Sequence, residues 1–283
     1  MNTNSNKNTV KATLLLLAAM LFAPLGKVKA QSDENEFGIW ATVEASKKLN
    51  KQFKIVADAE FRTFDFVSNV ERAAIGVKVE YKILKWLKAN VGYSFMYTQK
   101  PESMSLKEPV YDEEGNVFYN YNIDQAYWVI RNRAYATISG EYKIGRFEIG
   151  LRERLQYTHT NSATTNETKY RYNTDYDPIS TDDNYWETET EPEFKEAKDN
   201  LTLRSRLSLK YDIPNCKVNP FASVELYTRL DKWKGHDKLR YRIGASYKIN
   251  KDNSISLFYL YQDANDDDEP KGHAVGIEYS IDL

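Results

Sequence analysis

Four Arg-x-Arg pairs are the residues best placed to do chemistry: Arg131/Arg133, Arg152/Arg154, Arg204/Arg206 and Arg240/Arg242. Spacing by two puts both guanidiniums of a pair on one face of an extended strand. Glu60, Glu80, Glu148, Glu225 and Glu278 fall on the same polar face of their own runs. Two chemistries follow. The charges could knit into ion pairs that satisfy one another in a narrow polar interior. The guanidiniums could instead line a passage or pocket for an anion, since their planar fork matches carboxylate and phosphate. The ion-paired network is the plainer reading.

Other constellations are weaker. His159 sits beside Thr160, Asn161 and Ser162 at a strand end. A lipid-modifying hydrolase would need such a base, a serine hydroxyl within hydrogen-bond reach and a third group to orient the ring. His236 and His273 lie near loops, in no serine-bearing motif, and His159 reads most simply as a rim residue. Asp263 to Glu269 offers hard oxygen ligands suited to Ca²⁺, without the spaced loop pattern of a calcium hand. A solvated acidic loop is the simpler account, and the sequence points to no resident metal and no cofactor. The lone Cys216 forms no internal disulfide. Lys and Arg total 39 against 41 Asp and Glu, so no basic excess points to nucleic acid.

The elements that carry these arginines are extended. From Tyr127 to Thr158, Trp128, Ile130, Ala134, Ala136 and Ile138 alternate with Arg131, Arg133, Tyr135 and Thr137. After a tight turn, Phe147, Ile149, Leu151, Leu155 and Tyr157 alternate with Glu148, Arg152, Arg154 and Gln156. The period of two runs for ten or more residues twice, longer than the usual strand of about 5–6 residues in a soluble sheet. A membrane-spanning strand needs about 9–11 residues, with lipid on one side and a polar lumen on the other. The same pattern recurs in Phe37–Lys48, Phe53–Arg62, Arg72–Lys82, Leu87–Tyr97, Leu201–Tyr211, Ala222–Arg229, Leu239–Lys248, Ile255–Tyr261 and Val275–Leu283. These runs predict an all-β, antiparallel up-and-down transmembrane barrel of about 10–12 strands. Eleven candidates leave its parity open, because bacterial barrels usually have an even count. The stretches 100–125 and 160–198 break the pattern and read as two long extracellular loops, the first with a small hairpin at Val117–Tyr121 and the second acidic through Asp175, Asp177, Asp182, Asp183, Glu187, Glu189, Glu191 and Glu193.

Targeting and composition agree with that plan. Lys7 and Lys11 precede the apolar run Ala12–Ala23, and Val28-Lys29-Ala30 offers a cleavage site, so residues 1–30 read as a signal peptide and 31–283 as the barrel domain. The mean hydropathy of −0.66 does not oppose a barrel, because lumen and loop residues dilute the lipid-facing ones. Tyr81, Trp86, Tyr142, Phe147, Tyr211 and Tyr247 lie by short turns, and Tyr97, Tyr157 and Tyr261 by longer loops, as two interfacial belts require. Outer-membrane lipid and lipopolysaccharide are the expected surroundings in a Gram-negative outer membrane. The apolar C-terminal strand, ending in Leu283 where Phe is commoner, resembles the signal read by the barrel-insertion machinery. Glu153 and Asn132 fall on the apolar faces, which suggests a bulge, a protein-covered surface or a dimer contact.

Phe37-Gly38-Ile39-Trp40, Glu60-Phe61-Arg62, Arg131-Asn132-Arg133 and Pro220-Phe221-Ala222 occur in that order. With them the chain resembles, over residues 36 to 283, a Bacteroidota outer-membrane family catalogued as domain-of-unknown-function family 2490. That resemblance implies an outer-membrane barrel and brings no activity or catalytic residues. The function expected is a porin-like protein with a polar, arginine-rich lumen, structural or passively permeable to anions and small solutes. A lipid-modifying hydrolase and a surface-binding protein working through the long loops are the alternatives. A soluble periplasmic β-protein is the competing fold.

Overall fold

The computed structural model describes residues 36–65, 68–111, 114–172, 185–231, 236–264 and 271–283. Residues 1–30, expected to be a signal peptide, Asp175, Asp177, Asp182 and Asp183 of the acidic loop, and most of the 263–269 loop lie outside them. The strands are β1 (Glu36–Lys48), β2 (Phe53–Phe64), β3 (Asn69–Lys82), β4 (Leu87–Lys100), β5 (Ser103–Tyr111), β6 (Val117–Asp124), β7 (Tyr127–Ile144), β8 (Phe147–Thr160), β9 (Ala163–Tyr172), β10 (Tyr185–Lys195), β11 (Lys198–Tyr211), β12 (Val218–Arg229), β13 (His236–Lys248), β14 (Asn253–Ala264) and β15 (Gly272–Asp282). Among the described residues no helix is long and apolar enough to cross a membrane.

Eleven strands close a barrel in the order β1-β15-β14-β13-β12-β11-β8-β7-β4-β3-β2. All eleven runs read from the sequence are wall strands, and the count falls within the expected range. The parity question resolves at the seam. An up-and-down meander with an odd number of strands must close on two strands of the same direction. β1 and β15 pair in parallel, from Glu36↔Gly272 to Ser46↔Asp282. Ser46 Oγ hydrogen-bonds the Asp282 carboxylate, and the Leu283 N–H donates to Ser46 O at 2.7 Å, so the chain end is tied into the seam.

Short turns set the register of the hairpins. Leu49-Asn50-Lys51 and Ile249-Asn250-Lys251 use one device: the asparagine Oδ1 accepts from backbone N–H groups two and three residues on, at 2.8 Å in the first turn and 2.9 and 2.8 Å in the second. Gly145, at φ 59°, supplies the left-handed residue between β7 and β8.

The barrel is apolar outside and polar inside. Ile75 and Val91 are 63% and 62% exposed, and Leu151, Leu207, Ile243 and Leu257 also face outward. Aromatic pairs flank this surface: Phe53–Tyr81 at 4.9 Å, Phe147–Tyr211 at 5.0 Å and Tyr241–Tyr261 at 6.3 Å between ring centroids. On the inner face Phe258, Leu260 and Ala274 pack with Trp40 and Phe221. Phe258 has glycines, Gly244 and Gly276, as its register partners on both adjoining strands, and its ring lies over Gly276. A Cβ at Gly276 would overlap the ring.

By packing, the chain divides into two compact units. The first ends at Ser94 and resumes over Ala134–Tyr157 and Asn200–Leu283; the second comprises Phe95–Arg133 and Thr158–Asp199. The second unit corrects the expectation of irregular loops. β5, β6, β9 and β10 form a four-stranded sheet in the order β10-β9-β6-β5. Its strands lack apolar alternation because polar cross-strand pairs hold them: Lys169 to Glu191, Thr168 to Thr190 at 2.9 Å, and Arg171 to Asn122 Oδ1 at 2.9 Å. Tyr121 stacks on Tyr170 with centroids 4.8 Å apart.

Candidate functional site

Period-two geometry turns the arginines of β8, β11, β12 and β13 to the inner face of the barrel unit. Arg152, Arg204 and Arg206 converge on one carboxylate. Glu225, from β12, is 1% exposed. Arg152 Nη2 and Arg204 Nη2 lie 2.5 and 3.0 Å from its Oε1, and Arg206 Nη2 lies 2.9 Å from its Oε2. Tyr227 Oη donates to Oε2 at 3.3 Å. Arg204 also donates to Gln156 Oε1 at 3.2 Å and stacks over the Tyr227 ring at 4.5 Å. Three guanidiniums thus share one anion. Arg154, beside them, makes no ion pair among the described residues: its Nε donates to Thr137 Oγ1 at 3.1 Å and its guanidinium lies 4.3 Å from the Tyr135 ring centre.

A second group lies near the seam. Arg240 donates twice to Gln262 Oε1, at 3.1 and 2.5 Å, and its Cζ lies 4.8 Å from the centre of the Trp40 ring. Arg62 approaches the same indole at 3.7 Å. Arg242 pairs with Glu278 at 2.8 Å and covers the Phe258 ring at 3.8 Å. Glu60 holds Arg62 at 2.8 Å and lies 3.8 Å from Arg72. Glu80 stands opposite Lys54 in the ladder and forms no ion pair among the described residues. Arg131 and Arg133 belong to the second unit; Arg131 is 4% exposed, and Arg133 Nε donates to Thr158 Oγ1 at 3.2 Å.

Several partners carry no signal in the sequence pattern. Glu71 joins Arg62 at 3.8 Å and Arg72 at 3.3 Å. The β2·β3 register shifts between Arg62 and Thr63, which leaves Glu71 as an extra residue and turns it inward, out of alternation. Trp40, Gln156, Tyr227 and Gln262 sit at polar-face positions, but their types announce no charge pairing. Glu148 meets Lys143 at 3.4 Å.

The other candidates resolve locally. His159 Nδ1 lies 2.8 Å from Asp199 Oδ1, so an orienting carboxylate is present, but no serine is among the partners of His159. His273 hydrogen-bonds Tyr259 Oη. The side chain of His236 lies outside the described set. Asp263 pairs with Lys271 at 3.2 Å. Asn132 donates to Asn161 Oδ1 at 3.3 Å. Glu153 keeps its outward place in the alternation of β8 and accepts from Ser205 Oγ at 2.6 Å.

In the second unit, the carboxylates of Asp124, Glu167 and Glu193 lie within 4.8 Å of one another. Lys195 Nζ sits among them, 2.8 Å from Asp124 and 2.9 Å from Glu193, and supplies the positive charge a cation would bring. Partial burial lowers the Lys195 pKa, but its bonds to Asp124 and Glu193 outweigh that and raise it above the ordinary 10.5. The Lys195 hydrogen bond lowers Glu193, yet burial and the Asp124 and Glu167 carboxyls carry it above the ordinary 4.5.

The chain belongs to the family described as "Protein of unknown function (DUF2490)", whose model matches residues 37–272. No curated protein matches it. Among solved structures it is similar to the translocator domain of the autotransporter NalP from Neisseria meningitidis, at 10% identity and a TM-score of 0.28, covering 92% of each chain. It is also similar to the CymD monoaromatic hydrocarbon channel, at 10% identity and a TM-score of 0.27, covering 82% of this chain and 84% of that one.

Proposed function

We propose that the protein is an outer-membrane barrel whose interior takes up small anions, as a passage or a held site lined by guanidinium groups. The observation that carries this reading is the imbalance at Glu225. Three arginines meet one carboxylate, and Arg154 beside them makes no ion pair among the described residues, so guanidiniums outnumber the carboxylate they surround. A purely structural network would be expected to approach charge balance, because each unmatched interior ion carries a desolvation cost of several kcal/mol. A small carboxylate or phosphate would add negative charge beside this cluster and match the guanidinium fork.

The membrane setting supports the reading. An outer surface of aliphatic residues with aromatic pairs beside it suits hydrocarbon and its interfaces. In this account residues 1–30 are removed near Ala30, lipid and lipopolysaccharide surround the barrel, and the β15 end engages the insertion machinery.

Planar bilayers test it. In a KCl gradient the wild type should pass chloride over potassium. An Arg131/Arg152/Arg204→Gln triple variant should move the reversal potential toward cation selectivity. Unchanged conductance and selectivity would leave the arginines a structural role only.

A second reading, binding at the cell surface, draws on the second unit. Its sheet is folded, and Met104, Leu106, Tyr119 and Phe194 are exposed on it. Deleting β5, β6, β9 and β10 while keeping conductance would separate the two roles.

A further inference from the structure

The outward face of the barrel unit is aliphatic, but it carries one carboxyl in the middle of a strand. Glu153 is the seventh of the fourteen residues of β8, between Leu151 and Leu155. Six residues at about 3.3 Å each, on a strand tilted about 40°, raise it about 15 Å above Phe147, near the middle of an apolar band about 25 Å tall. Ser205 on β11 donates to Oε2 at 2.6 Å, and the other oxygen has no partner among the described residues. Ionisable side chains at such depth are rare and mark sites of function.

The wall beside Glu153 is hollowed. Ala89 and Ala136 present only a methyl group there, in a depression of about 460 Å³ whose lining includes these two, Val91, Ile138, Leu155, Leu203 and Glu153. That is the size of a small-molecule cleft, about 300–1,000 Å³, and its composition is that of one: mostly apolar walls with a few polar residues, Glu153 the one ionisable carboxyl among them.

We propose that this hollow is a lateral binding site for an apolar molecule bearing an ammonium group, entering from the bilayer. The body fills the hollow and the ammonium donates to the open Glu153 oxygen. Charge complementarity selects this occupant. A second copy of the chain on a twofold axis through the hollow would bring another carboxyl to the first, and a lipid phosphate would bring an anion. The site rests on the outer-membrane reading above, since the wall must face lipid.

The full chain in phosphatidylcholine nanodiscs is exposed to dodecylamine carrying a mid-chain diazirine, photolysed and mapped by mass spectrometry. Labels should concentrate on β4, β7 and β8. Glu153→Gln, which keeps a partner for Ser205, should cut labelling about tenfold, the equivalent of one charge-assisted hydrogen bond. Ala136→Leu, which fills the hollow and leaves the carboxyl, should cut it as well. Heat-modifiable gel mobility confirms that each variant is folded. Equal labelling of wild type and Glu153→Gln overturns the proposal. So does equal labelling by the chain-matched fatty acid, or disulfide-linked dimers of Ala136→Cys without amine labelling. A chain that never enters nanodiscs fails the membrane reading first and this site with it; one that enters and is not labelled fails here alone.

Discussion

Arg152 Nη2 lies 2.5 Å from Glu225 Oε1, although β8 and β12 are not neighbours: β11 runs between them in the wall. The contact crosses over β11, whose Arg204 and Arg206 reach the same carboxylate. Glu225 is therefore a tie for three strands. Removing the shared partner exposes three cations to one another, while removing one arginine leaves the anion with two.

An asymmetric stability response follows. Glu225→Gln should cost about 3–5 kcal/mol, the loss expected when one side of a buried ionic cluster is deleted. Arg152→Met should cost clearly less, because Arg204 and Arg206 still neutralise the carboxylate. Urea unfolding in liposomes, followed by tryptophan emission, measures both; equal losses would contradict the shared-anion arrangement.

Packing at Phe258 makes a second case. Its ring fills the space left by hydrogen at Gly276, beneath the Arg242 guanidinium. Gly276→Val puts a branched side chain where the ring lies, so the ring must leave its rotamer and the cation. Overpacking of this kind costs about 1–3 kcal/mol. Pairing Gly276→Val with Phe258→Ala should recover part of that loss in the same unfolding assay, whereas independent sites would simply add.

The wall was legible in the sequence because period-two alternation is local: each of the eleven runs announces its own two faces. Arg152, Arg204, Arg206 and Glu225 could be placed on the polar face for the same reason. Their convergence on one carboxylate could not, since it depends on which strands adjoin. The β1·β15 seam joins Glu36 to Gly272 across nearly the whole chain, and no local pattern encodes such a pairing. Glu71 was hidden by the bulge that breaks alternation at Thr63. The four-stranded sheet is not legible in the sequence, because its strands are specified by Thr, Tyr and ion pairs such as Lys169–Glu191, which give no hydrophobic period.

Acid and base should act oppositely on the Asp124–Glu167–Glu193–Lys195 cluster. Glu193 is raised by burial and neighbouring carboxyls against the pull of Lys195, so its contribution to stability is present below pH 4.5 and is lost as pH rises through its folded value. Lys195, raised by Asp124 and Glu193 against burial, contributes stability fully present below pH 10.5 and lost above its folded value. Between those limits the lysine offsets three adjacent carboxylates. Lys195→Met should therefore loosen β6, β9 and β10 at pH 7–8, by on the order of 1 kcal/mol for two partly exposed pairs. The deficit should shrink near pH 4, where the carboxyls take up protons. Amide exchange of residues 117–124 and 163–172 at the two pH values checks the sign.

The parallel seam gives the most direct test of the barrel. Val43 pairs with Tyr279 in the β1·β15 register, and both face outward. In a Cys216→Ser background, Val43→Cys with Tyr279→Cys should oxidise to a disulfide, because adjacent strands lie about 4.8 Å apart, within bridging range. Val43→Cys with Val275→Cys should stay reduced: Val275 pairs with Ile39, four residues away and about 13 Å along the strand. An antiparallel closure centred on Ala41 and Ile277 would reverse the result, since it would set Val43 beside Val275. Gel mobility of the denatured, non-reduced protein reads the outcome. A bridge in the second pair and none in the first would remove the parallel seam, and with it the reason an eleven-stranded wall can close.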